Sequence, residues 1–240
     1  MPIRAVIFDF YGTLAESTGA GLAWADLFSE IGHTLSQDAI DRLWNQGNDG
    51  VEHLEHSQSR DHYVAWQQSR LRQIIAESGV SEGDDDLLFA RMTELLGTQD
   101  LAAYPESGEI LAELRARGLA LAICSNWNWD LLEAIDNAGL TDTVDIVESS
   151  AWVGVRKPHP RIYAHMLERL AVDPGDILFV GDTWTCDVEG PRVAGMRPVY
   201  LRRPHFGVDR TRPDDADDTS VTLAEDLTAL RALLPPRDRA

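Results

Sequence analysis

Apolar positions along this chain fall into two kinds of pattern. Ile3 to Phe8 is a nearly continuous apolar run that ends in Asp9 and is closed by Gly12. Unbroken apolarity over so short a stretch predicts a strand covered on both faces, as in a parallel sheet. Similar runs recur at Leu119–Cys124, Val144–Val147, Ile177–Val180 and Pro198–Leu201. Between them the spacing becomes helical. Ile110, Leu111 and Leu114 share one face, and Leu131, Leu132 and Ile135 another, with Gly139 as a stop signal. Pro160 opens a helix whose buried stripe is Ile162, Met166, Leu167 and Leu170. Leu223, Leu227, Leu230 and Leu234 predict a last one.

Strand and helix alternate from Tyr104 onward, which predicts an α/β fold with a Rossmann-like, doubly wound parallel sheet. Between about Glu16 and Asp100 that rhythm is lost. The patterns there are helical (Leu22–Ile31, Ala39–Trp44, Tyr63–Ile75 and Leu87–Leu96), and none reads as a convincing strand. The block reads as an α-helical cap domain, residues 16–99, inserted into a core domain of residues 1–15 and 100–240.

Composition then excludes several functions. A chain of 240 residues, 44% hydrophobic and 25% charged, is ordinary for a globular protein and long enough to bury a full core. Forty acidic residues against 21 basic ones leave a net charge of −19. Such a surface repels nucleic acid backbones and anionic lipid, which leaves a small molecule as the expected partner. No apolar run approaches the ~18 residues of a membrane span. Cys124 and Cys186 lack metal-binding spacing, and the first ten residues do not resemble a secretory signal. A reduced, cytoplasmic protein is the expectation; nothing in the pattern specifies an oligomeric state. The acid clusters at Asp84–Asp86 and Asp214–Asp218 read as solvated loops.

One compositional exception points to chemistry. Of the 21 basic residues only Lys157 is a lysine. A coding bias toward arginine explains the rest but not this one. A compact ammonium charge is needed where a planar guanidinium does not fit, so Lys157 is a candidate site residue on this ground alone.

In open α/β sheets ligands bind beyond the carboxyl ends of the strands. Following each strand, the chain places there Asp9-Phe10-Tyr11-Gly12-Thr13-Leu14, then Ser125-Asn126, then Lys157-Pro158 ahead of a helix, and Gly181-Asp182-Thr183-Trp184-Thr185-Cys186-Asp187. These four motifs, in this order, resemble those of the haloacid dehalogenase superfamily of hydrolases, over nearly the whole chain and including a helical cap. The resemblance implies that Asp9 is a nucleophile that forms a covalent intermediate. It implies that Ser125, Asn126 and Lys157, with Tyr11 and Thr13 of the first motif, hold an anionic substrate. It also implies a magnesium site made by Asp182, Asp187, the Asp9 carboxylate and the backbone carbonyl of Tyr11. Magnesium and lysine together would neutralise the charge that a carboxylate meets on approaching a phosphoryl group.

Tyr11 departs from the phosphatase pattern. Phosphatases of this superfamily usually carry a second aspartate there, which protonates the leaving alkoxide. Tyrosine resembles the 2-haloacid dehalogenases, in which halide leaves without a proton. Against that reading, Gly181-Asp182 replaces the serine-asparagine pair of those dehalogenases. In addition, Leu43-Trp44 is followed by Asn45 instead of a carboxylate-gripping arginine, with Arg42 on a different helical face. A magnesium-dependent phosphatase acting on a small phosphorylated metabolite is therefore expected over a metal-free dehalogenase or a silent binding protein. The segment Asn45–Ser59, with Asp49, Glu52, His53, Glu55 and His56, reads either as a solvated acidic loop or as a lid supplying the missing acid. Trp127 and Trp129 read equally as pocket mouth or as packing, and Cys186 as a small packing residue.

Overall fold

The computed structural model describes residues 2–18, 24–35, 50–81, 83–96, 100–203 and 221–234. The expected helix Ala39–Trp44, Arg42, Asn45, Asp49 and the Asp214–Asp218 cluster lie outside the described residues.

Six parallel strands build the main sheet: β1 (Ala5–Phe8), β4 (Ala120–Ser125), β5 (Ile146–Ser149), β6 (Ile177–Gly181), β7 (Arg197–Leu201) and β8 (Thr222–Ala224), in the order β5-β4-β1-β6-β7-β8. The expected α/β, Rossmann-like fold is the observed one. β1 lies at the centre, paired with β4 through Phe8↔Ile123 and with β6 through Phe8↔Val180. The chain runs from β1 outward through β4 and β5, then crosses to β6 on the other side. The strand order therefore reverses beside β1, where ligands of such sheets bind. Alternation along β1 sends Val6 and Phe8 into one core layer with Ile110, Leu111, Leu114, Leu131 and Ile135. Ala5 and Ile7 go into the other with Ile162, Tyr163 and Met166. Those residues come from helices α4 (Ser107–Ala116), α5 (Leu131–Asn137) and α6 (Pro160–Leu170).

Local signals end these helices as the sequence suggests. Pro160 opens α6, and the His159 ring accepts a hydrogen bond from the Arg161 N–H at 3.2 Å. Gly139, at φ +73°, follows α5. Leu132 departs from the expectation: it is 57% exposed, because Leu131, Ala134 and Ile135 already fill the facing layer.

The block between β1 and α4 holds α1 (Trp24–Glu30), α2 (Arg60–Ser78) and α3 (Asp85–Leu96). Leu27 and Phe28, Leu71, Ile74 and Ile75, and Leu88 and Met92 form a separate small core there. The expectation of no strand fails where the block begins. β2 (Ala15–Ser17) pairs antiparallel with β3 (Leu101–Ala103), in register Ala15↔Ala103. Three residues are too few to leave a period-two signature, and only the pairing of two distant segments makes them strands. Leu223 is a second correction. It sits in β8, 46% exposed, and not on the last helix. The open edge of β7 recruits it, and the Asp226 carboxylate then accepts from the Thr228 N–H at 2.8 Å, so the helical turns begin at Leu227. Among the described residues no helix is long and apolar enough to cross a membrane.

Candidate active site

The carboxyl ends of β1, β4 and β6 bring the sequence-selected residues together. Asp9 continues β1 by one step, its N–H donating to the Val180 carbonyl at 2.9 Å. Asp182 follows β6 directly. Asp187 lies on a π-helical segment, Trp184–Glu189, a form that recurs at functional sites. Its N–H donates to the Thr183 carbonyl at 2.7 Å, and its Oδ2 accepts from the Thr183 N–H at 2.9 Å, which orients the carboxylate. Asp9, Asp182 and Asp187 each offer an oxygen within 4.8 Å of the others, and all three are buried.

Two glycines allow this crowding. Gly12 has φ +81°, and a Cβ there would stand 2.9 Å from Asp182 Cγ and closer still to its Oδ2. A Cβ on Gly181 would come within 2.5 Å of Asp187 Cβ. Any other residue at either position would push a carboxylate out of place.

Lys157 enters the cluster as its cation. Its Nζ donates to Asp9 Oδ1 at 2.9 Å and to Asp187 Oδ1 at 2.6 Å, and the side chain is 1% exposed. Burial alone would lower its pKa. The charges of Asp187 and Asp9 outweigh burial and hold the ammonium well above lysine's usual value. Burial pushes the Asp187 carboxyl up to about 7; Lys157 opposes this, while Asp9 and Asp182 add to it. Two of the three carboxylates thus share one ammonium.

Asn126 fixes the lysine from behind. Its Oδ1 accepts from the Lys157 N–H at 2.7 Å, and its Nδ2 donates to the Lys157 carbonyl at 2.9 Å. The amide therefore grips the backbone of the lysine on both sides. Ser125 ends β4 and is buried. Thr13 is fully buried, and its Oγ1 has no hydrogen-bond partner among the described residues. The Tyr11 ring lies 6.2 Å from that of Trp127, which also meets Phe10 edge-on at 5.4 Å. Trp129 lines a cleft of about 150 Å³ with Tyr63, Gln67 and Asn128. The buried Cys186 receives Asn126 Nδ2 at 3.9 Å on its sulfur and the Tyr163 hydroxyl at 2.6 Å on its carbonyl.

At His53 the segment 50–59 is not a solvated loop. That ring is buried, stacked 4.7 Å from Trp66, with Nδ1 2.9 Å from Ser57 Oγ. Burial, with the charge of Arg156, depresses its pKa to about 4. Three backbone hydrogen bonds tie this segment to the one carrying Lys157. They are Gly50 N–H to Lys157 carbonyl at 3.2 Å, His53 N–H to Gly154 carbonyl at 2.7 Å, and Arg156 N–H to Val51 carbonyl at 3.0 Å. Sequence reasoning missed Tyr163 and Arg156; neither stands out in a local pattern.

Fold and site together define a Rossmann-like α/β protein with an acidic, lysine-bearing rim beside its central strand. The chain belongs to the haloacid dehalogenase-like hydrolase family, whose model matches residues 3–195. It is similar to (S)-2-haloacid dehalogenase 4A of Burkholderia cepacia, 33% identical over 84% of each chain. It is also similar to phosphoserine phosphatase of Thermus thermophilus, 40% identical over 85% of this chain and 75% of that one. Among solved structures, the L-2-haloacid dehalogenase RSc1362 superposes with a TM-score of 0.64 at 27% identity, covering 98% of this chain and 99% of that one.

Proposed function

We propose that this hydrolase is a magnesium-dependent phosphatase acting on a small phosphorylated metabolite, with Asp9 as its nucleophile. The observation that carries this reading is the carboxylate triad. Asp9, Asp182 and Asp187 are buried together, and among the described residues Lys157 bonds two of them, Asp9 and Asp187. Excess buried negative charge is costly unless a cation joins it, and an all-oxygen donor set suits a hard divalent ion. Asp9, Asp182 and Asp187, with the backbone carbonyl of Tyr11, would hold magnesium. Bound there, the ion would supply charge neutralisation to the phosphoryl oxygens.

The chain's own residues do the rest. Lys157 aims Asp9 through its 2.9 Å hydrogen bond and adds a second positive charge at the reacting centre. An Asp9 oxygen attacks phosphorus, the phosphorus–oxygen bond to the leaving group breaks, and an aspartyl phosphate results. Water then attacks that phosphorus and restores the carboxylate. The buried Thr13 and Ser125 hydroxyls are available to the transferred oxygens.

A second reading rests on Tyr11 and on the relatives named as 2-haloacid dehalogenases. In it Asp9 displaces halide from carbon, and Asp182 is structural. The deciding experiment is a panel of phosphate esters and 2-chloropropionate, assayed with magnesium and after chelation. Phosphate release that chelation abolishes is the expected result, with Asp9→Asn inactive. Halide release without metal overturns the proposal.

A further inference from the structure

Behind the rim, the buried layer under α6 holds a polar atom that the proposed chemistry does not use. Tyr163 is fully buried, in one apolar cluster with Ala5, Ile7, Ile162, Met166 and Phe179. A phenylalanine would fill that space with no hydroxyl to desolvate, so the phenolic oxygen has to be matched by a partner. The partner is the Cys186 carbonyl, which accepts from the hydroxyl at 2.6 Å.

Cys186 stands on the π-helical segment, immediately before Asp187. In a π turn a carbonyl accepts from the N–H five residues ahead, and the Gly190 N–H reaches the Thr185 carbonyl in this way. The next bond of that ladder would run from residue 191 to Cys186. Residue 191 is a proline and has no N–H to give. The Tyr163 hydroxyl supplies a donor to that carbonyl where Pro191 has none. Gly190 permits the approach: a Cβ there would stand 2.5 Å from Tyr163 Cζ and closer still to its hydroxyl oxygen.

The arrangement reaches the rim by two routes. Asp187 Oδ2 accepts from the Thr183 N–H at 2.9 Å and Oδ1 from Lys157 Nζ at 2.6 Å, so the turn that carries this carboxylate also aims it. The Tyr163 ring meets Phe179 edge-on at 5.9 Å, and Lys157 Nζ lies 5.3 Å from the centroid of that same ring.

We propose that Tyr163 is a positioning residue: through the Cys186 carbonyl it holds the π turn in the form that places Asp187 beside Asp9, Asp182 and Lys157. That Asp187 is thereby held for magnesium rests on the proposed phosphatase function.

Tyr163→Phe removes the hydroxyl and keeps the ring. Ile162→Val, its neighbour on α6, loosens the same apolar layer without removing a hydrogen bond and serves as the comparison. Amide hydrogen exchange, read residue by residue by NMR on the full chain, should be about 10-fold faster at Thr183 and Asp187 in Tyr163→Phe than in Ile162→Val. In calorimetric titration with magnesium chloride, Tyr163→Phe should bind the ion about 10-fold more weakly than the wild type, and Ile162→Val should match the wild type. Wild-type exchange at these two amides in Tyr163→Phe, or an equal rise in Ile162→Val, overturns the proposal. So does an undiminished magnesium affinity in Tyr163→Phe. If the wild type binds no magnesium, the magnesium reading falls by itself, and the exchange rates alone decide whether Tyr163 holds Asp187.

Discussion

Gly12 and Asp182 are in such close approach that the absence of a side chain on one sets the position of the other. Gly12→Ala should therefore act on the carboxylate and not on the fold. The left-handed backbone adds a strain of about 1–2 kcal/mol, visible as a modest loss in chemical denaturation. The larger effect should be a rise in the magnesium concentration needed for half-maximal turnover. Unchanged magnesium dependence would show that Asp182 tolerates the displacement.

Lys157 is the only cation bonded to Asp9 and Asp187 among the described residues, so its replacements should separate charge from shape. Lys157→Met leaves two buried carboxylates uncompensated and should cost about 3–5 kcal/mol of stability. Lys157→Arg keeps the charge, but a planar fork cannot take the place of a compact ammonium 2.6 Å from one oxygen and 2.9 Å from the other. It should fold and turn over poorly. Wild-type kinetics in Lys157→Arg would make the single lysine a coincidence.

Under the phosphatase proposal, Tyr11 should govern the leaving group. A tyrosine, with a reference pKa near ~10, is a weak proton donor, so the alkoxide should leave largely unprotonated. Log rate should fall steeply as leaving-group pKa rises, with aryl and acyl phosphates far ahead of alkyl ones. Tyr11→Asp should flatten that plot, since general acid catalysis typically contributes ~10²–10⁴-fold. A flat wild-type plot would mean that another group supplies the proton.

His53 is not that group at neutral pH. With its pKa depressed to about 4, mainly by burial and then by Arg156, it is neutral there. The sign for stability follows. An unfolded histidine takes its proton near ~6.5, and the folded one refuses it until about pH 4, so the unfolded state binds more protons across that window. Stability should fall as pH drops from 6.5 to 4, by about 1–2 kcal/mol from this residue once solvent screening is allowed for. Denaturation midpoints across that range should fall less steeply in His53→Gln than in the wild type.

Much of the core was legible because buried parallel strands leave dense apolar runs: Ile177–Val180 in the sequence is Ile177–Gly181 in the sheet. The rim was legible through topology, since each strand's carboxyl end points to one place; Lys157 was legible through composition. What escaped depends on partners distant in the chain. β2 and β3 are strands only because residue 15 meets residue 103. Leu223 fits a helical spacing by coincidence and obeys a sheet edge. His53 sits in a polar stretch, yet its burial is decided by Trp66 on the following helix.

The hydrogen bonds between Gly50–His53 and Gly154–Lys157 bear on how such proteins diversify. Exchanging the helical block for that of a relative looks like a two-cut operation, because the chain enters and leaves along the β2–β3 ribbon. It is not. The strap lies within the helical block, while its partners lie between β5 and α6. A foreign block must bring a matching strap, or it strands the Arg156 N–H and the Gly154 carbonyl beside the lysine. Exchange of the block is thus constrained at a third point, apart from both crossovers.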